Sequence, residues 1–204
     1  MSAIGRSYQR WSAAVGGFWA TTFLLPRIAL CCAGAGVVTN LLSFAGLRMA
    51  GPFMALAIVH VTIVVLGLAL FSRIAYHHYL ALRVRGTGAD SSDFAAPIPG
   101  RLIVVAVLAG FYFIALMLGT FAVYGQGAPV MQDGREVWLY NGVAVRDLPP
   151  GSVHHFESIT LRVFSAGWIF FGLLTALIGH KVEGRIRMYR YHLSRTAAAP
   201  RRME

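Results

Sequence analysis

Four stretches without a single Lys, Arg, Asp or Glu constrain this chain more than any other feature: residues 28–47, 52–71, 102–124 and 163–179. Each is close to the roughly 20 residues that a helix needs to cross a hydrocarbon core of about 30 Å. A helix satisfies its own backbone hydrogen bonds in lipid, so long uncharged runs read as spanning helices rather than strands. A soluble bundle would carry polar faces through these runs, and they carry none. Composition agrees, with 57% hydrophobic and 13% charged residues and a mean hydropathy of +0.62 over 204 residues. The expected fold is an all-α integral membrane protein of one domain, a four-helix transmembrane bundle.

The formal charge of +10 raises the question of nucleic acid. The basic residues, however, stand in short blocks beside the apolar runs, the positive-inside pattern. With the N-terminus in the cytoplasm, Arg6, Arg10, Arg27, Arg73, Arg83, Arg85 and Arg101 fall inside. So do Lys181, Arg185, Arg187, Arg190, Arg195, Arg201 and Arg202. Only Arg48, Arg135, Arg146 and Arg162 fall outside. The expected topology has both termini cytoplasmic, in a bacterial-type inner membrane. Anionic lipid accounts for the basic blocks, at about 1 kcal/mol per residue near the surface, so no nucleic acid partner is invoked.

Residues 1–27 form the N-terminal cytoplasmic segment in this reading. Arg6 and Arg10 followed by apolar residues 11–25 imitate a signal peptide, but Pro26 and Arg27 interrupt the run and no small-residue cleavage site follows directly. Residues 8–25 are expected to form an interfacial helix; a further span there would move the N-terminus outside. Cys31 and Cys32 are the two cysteines, and adjacent side chains on a helix point apart, so no disulfide within the chain is expected.

A few residues join the first two spans and force an antiparallel hairpin, while GTGADSSDFAAPIPG, residues 86–100, is a flexible connector. The exterior segment, residues 125–161, contains REVWLYNGVAVRDL, which reads as a β-hairpin turning at Asn141-Gly142. A lone hairpin is marginal in water and should lean on the bundle or a partner. Small residues four apart, among them Cys32 and Gly36, Ala106 and Gly110, suit close helix approach. Residues 180–204 form a basic cytoplasmic tail. The exit of the second span, SRIAYHHYLALR, is echoed by GRIRMYRYHLSR after the fourth. Either a duplicated helical hairpin or the shared chemistry of two membrane interfaces accounts for the echo.

Histidines are the main candidates for chemistry. His60 lies midway along the second span, where its ring needs a partner such as Thr39, Asn40, Thr120 or Thr175. His77, His78 and His180 lie near the cytoplasmic ends of spans two and four. Together with His60 they are the candidate ligands for b-type haem or a quinone, although bis-histidine haem needs two imidazoles opposed at one level. Tyr76, Tyr79 and Arg83 share one helical face as an interfacial anchor would. On the exterior side His154, His155 and Glu157 are candidate copper or zinc ligands, with Asp133, Asp147 or Met131 as further donors. No HExxH, GxSxG, CxxC or phosphate-binding glycine loop occurs, and no acidic residue lies within a span. The expected function is therefore a non-enzymatic subunit of a larger inner-membrane assembly, such as a secretion, conjugation or envelope complex, partnered by the bilayer and other membrane subunits. The alternative is a membrane-anchor electron-transfer subunit.

Overall fold

The computed structural model describes residues 23–46, 53–85 and 100–198. Its described residues form four long apolar helices and a small sheet: α1 (Leu24–Phe44), α2 (Phe53–Arg85), α3 (Gly100–Tyr124), β1 (Ala128–Gln132), β2 (Arg135–Tyr140), β3 (Val143–Asp147) and α4 (Ser152–Ala198). All four helices are long and apolar enough to cross a membrane. The interfacial helix expected over residues 8–25 falls, apart from its last residues, outside the described residues.

The helices and the apolar runs do not share their ends: α1 stops at Phe44, short of residue 47, in a turn where Gly46 takes a positive φ of 89°. α1 starts before residue 28 and takes Pro26 and Arg27 into its first turn, where a missing amide proton breaks no helical bond. α2 continues past residue 71 to Arg85, and α4 extends the run 163–179 in both directions. An uncharged run records the thickness of an apolar medium, whereas a helix continues as long as one face finds cover. Beyond the runs α2 and α4 cover each other through Leu80, Val84, Ile186 and Tyr189, flanked by Tyr76 and Val182.

The expected two-stranded hairpin is a three-stranded antiparallel sheet in the order β1-β2-β3. Tyr140 pairs with Val143 across Asn141-Gly142, and both turn residues have positive φ, 48° and 81°. That is the type I′ geometry expected of Asn-Gly. The additional strand turns in the same manner at Asp133-Gly134, with φ of 50° and 75°. β1 contains Pro129, which an edge strand tolerates because one row of its amides has no ladder partner.

The chain divides into two compact units, residues 31–63 with 105–173, and the remainder. In the first unit α4 is the shared partner. α1 runs antiparallel to it, with Gly36 against Ser165 and Ile169; there a Cβ would stand 2.8 Å from the Ser165 carbonyl oxygen. α3 is also antiparallel, with the Phe113 ring 6.2 Å from Phe170 and Phe113 against Gly167. In the second unit α2 and α4 run parallel, since Arg73 pairs with Glu183 at 2.9 Å and, further along both helices, His77 meets Tyr189. There Gly179 packs on Leu25 and Pro26. Cys31 and Cys32 are free thiols.

Candidate functional site

His60 has a partner that the sequence reading missed. The Trp168 indole Nε1–H donates to His60 Nδ1 at 3.3 Å, and Phe164 meets the imidazole edge-on at 5.7 Å. Neither Thr39, Asn40, Thr120 nor Thr175 bonds it. The signal was present: an indole carries an N–H with no acceptor of its own, so Trp168 in an apolar run needs one as much as His60 needs a donor. With Nδ1 accepting, the neutral ring carries its proton on Nε2.

His77 and His78 contact each other edge-on at 5.5 Å, and His77 leans on Tyr189 at 5.4 Å. The His77 Nε2 is buried without a hydrogen-bond partner. His180 lies elsewhere on α4, 6.4 Å from Phe23. Because His77 is level with Tyr189, His180 stands about 13 Å back along the helix at 1.5 Å per residue. The two imidazoles are thus not opposed across a common level as a haem would require. Around them Tyr76 stacks on Tyr79 at 6.3 Å, Arg83 lies over Tyr79 at 5.8 Å, and Arg190 lies over Tyr76 at 5.3 Å.

His154, His155 and Glu157 occupy the first turns of α4 rather than a loop. Helical spacing puts His154 and Glu157 on one face and turns His155 away. Among the described residues no group of three or more His, Cys, Asp or Glu converges as a metal cage. The carboxylate that acts here is Glu136 of β2, which accepts the Gly151 amide at 2.8 Å and the Val153 amide at 3.0 Å. It caps the amide end of α4 from another element, so no local capping motif announces it. The Val153 amide first, and then that of Gly151, hold its carboxyl below the ordinary carboxylate range.

A polar junction ties three helices together. Asn40 Nδ2 donates to Ser165 Oγ at 2.9 Å and to the Arg162 carbonyl at 3.2 Å, while Asn40 Oδ1 accepts the Tyr112 hydroxyl at 2.9 Å. The Arg162 guanidinium reaches the Ser43 carbonyl at 3.4 Å and lies 4.0 Å over Phe44. It is placed at the carbonyl end of α1, where a cation is favoured. These groups position helices; among them stand no nucleophile and base in contact.

An apolar groove of about 350 Å³ opens between α3 and α4, walled by Met117, Phe121, Val163 and Phe164 with the threonines Thr120 and Thr160. Tyr124 and Phe156 also line it, with ring centroids 4.8 Å apart. Tyr124 stacks in turn on Trp138 of β2 at 5.9 Å. This aromatic contact seats the sheet on the helices. Gly127 permits it, because a Cβ there would stand 2.5 Å from the Trp138 Nε1.

Comparisons with protein-family models, with curated proteins and with solved structures gave no match for this chain.

Proposed function

We propose that this is a multi-pass membrane protein serving as a non-catalytic subunit of a larger inner-membrane assembly, such as a secretion, conjugation or envelope complex. One observation carries the reading: apolar helix surface is left without cover. Only 11% of an 18-residue apolar stretch of α3 and 17% of that of α2 is buried, against 50% for α4. Phe71 and Phe121 are each 73% exposed. Water does not tolerate contiguous apolar faces of that extent, whereas hydrocarbon and neighbouring helices do.

Both termini belong in the cytoplasm on the distribution of Arg and Lys. The sheet then lies outside, where β3 is an edge strand with every residue exposed, Val143 and Val145 included. An open edge of this kind suits strand addition by a partner. The basic surfaces of α2 and α4 suit anionic lipid or an acidic cytoplasmic partner.

The test is site-specific photocrosslinking in native membranes from Val145 on β3 and Phe121 on α3, combined with resistance to alkaline extraction. Retention in the membrane with discrete crosslinked protein adducts supports the reading. Release by alkali overturns the membrane placement, and retention with lipid adducts alone overturns the subunit role.

A further inference from the structure

We propose that the groove between α3 and α4 is a binding site for one anionic phospholipid, its acyl chain in the groove and its phosphate at Arg146. This rests on the membrane placement proposed above.

The groove has the chemistry of a hydrocarbon site. Its exposed lining is almost wholly apolar, and its volume of about 350 Å³ lies at the small end of the range for ligand pockets, roughly 300–1,000 Å³. It opens along α3, the least covered helix, whose Leu118 and Phe121 are exposed beside it. The surface that would face the bilayer therefore continues into the groove without a polar rim to cross, and the medium outside is itself the source of the chain that fills it.

At one end the groove meets a graded series of side chains. Tyr124 lines it, Trp138 stacks on Tyr124, and the Arg146 guanidinium lies 5.2 Å over the Trp138 ring. Trp138 and Arg146 are directly opposed across β2 and β3, so the cross-strand register places the cation on this face. Apolar cleft, aromatic belt and fixed cation is the order of polarity met along a phospholipid from tail to headgroup. Arg146 is exposed and free of any ion pair among the described residues. Its neighbour Asp147 belongs to the opposite face of the strand by alternation, and the Glu136 carboxylate is engaged by the α4 amides. A guanidinium held over an indole keeps its outward donors for phosphate.

The probe is full-length protein, purified in detergent, stripped of lipid and titrated with phosphatidylglycerol or phosphatidylcholine while adducts are resolved by native mass spectrometry. One saturable phosphatidylglycerol adduct is expected, with weaker phosphatidylcholine binding. R146Q should reduce the phosphatidylglycerol preference about fivefold, the scale of one interfacial cation, and T160F, which fills the groove, should abolish the saturable adduct of both lipids. Circular dichroism and the unfolding midpoint of each variant confirm that it is folded; if T160F is not, T120L replaces it. A ladder of unsaturable adducts, equal affinity for the two lipids, or binding unchanged in both R146Q and the groove variant overturns the proposal. Failure of the membrane placement is read separately, as protein that stays soluble and unaggregated without detergent.

Discussion

The ring of His77 rests 5.4 Å from that of Tyr189, and the two occupy equivalent positions in the echoing segments SRIAYHHYLALR and GRIRMYRYHLSR. The echo is thus also a contact. The repeated segments run side by side in one direction, and together with Val84, just past the first, they form a seam in which Leu80, Val84, Ile186 and Tyr189 are buried. The buried positions themselves are not equivalent, since Leu80 answers His192 and Ile186 answers Ile74, so the two segments meet through different faces of the repeat.

Tyr189 is the largest fully buried side chain among the described residues. Y189A should lower unfolding stability by about 3 kcal/mol, the cost of emptying a buried aromatic site. Y191A, two residues on and 58% exposed, should change it by less than about 0.5 kcal/mol. Denaturant unfolding of the two variants in one detergent makes the comparison; equal losses would remove the seam as a source of stability.

Asn40 holds three partners in the junction of α1, α3 and α4. Asn40→Leu keeps the branched shape with somewhat more bulk and removes all three bonds, leaving the Tyr112 and Ser165 hydroxyls to find others. The expected loss is about 1–2 kcal/mol, since hydrogen bonds between membrane helices average well under 1 kcal/mol apiece. Y112F deletes a single bond and should lose less, as thermal unfolding of both variants will read.

Gly36 and Gly34 separate close packing from mere composition. A Cβ at Gly36 would stand 2.8 Å from the Ser165 carbonyl, a backbone atom unable to rotate aside, whereas a Cβ at Gly34 meets nothing within 4 Å. G36A should therefore destabilise by about 1–3 kcal/mol, and G34A should be neutral or slightly stabilising through helix propensity. A unfolding series with the order reversed would place the contact of α1 with α4 elsewhere.

Glu136 predicts an acid sensitivity of definite sign. Its folded carboxyl titrates below the ordinary value of 4.5, chiefly because the Val153 and then the Gly151 amides bind the charged form. The unfolded chain takes up the proton first, so the capping contribution is complete above pH 4.5 and disappears as pH falls through the folded pKa. The unfolding midpoint of wild type should exceed that of E136Q near neutrality, and the gap should close in acid. A gap constant with pH would show that the charge of Glu136 is immaterial to the cap.

Trp168 fixes the proton of His60 on Nε2. In protein labelled with nitrogen-15, His60 should give the nitrogen shifts of a single neutral tautomer, and W168F should shift them toward a tautomeric mixture. Identical spectra in both proteins would remove the indole as the orienting donor.

Much of this fold was legible because its cause is periodic or local. The four apolar runs state themselves, and Asn141-Gly142 gives its turn from two residues alone. Asp133-Gly134 carries the same turn chemistry, and the strand before it contains Pro129, a residue that argues against a strand. What escaped was set by tertiary pairing. Nothing within REVWLY indicates that Glu136 will cap a helix beginning at Ser152, and no spacing rule joins His60 to Trp168. The helices outlast their apolar runs for the same reason, since Leu80 and Tyr189 cover one another only once α2 and α4 lie together.

The contacts of the sheet and those of the start of α4 differ in their reach along the chain. The strands are joined by two two-residue turns, so every ladder contact is between near neighbours in sequence, and hairpins of this sort close in about 1–10 μs. The bond from the Val153 amide to Glu136 waits for a further stretch of chain. The ladder is thus local in sequence, whereas the starting point of α4 is fixed by a carboxylate from another element.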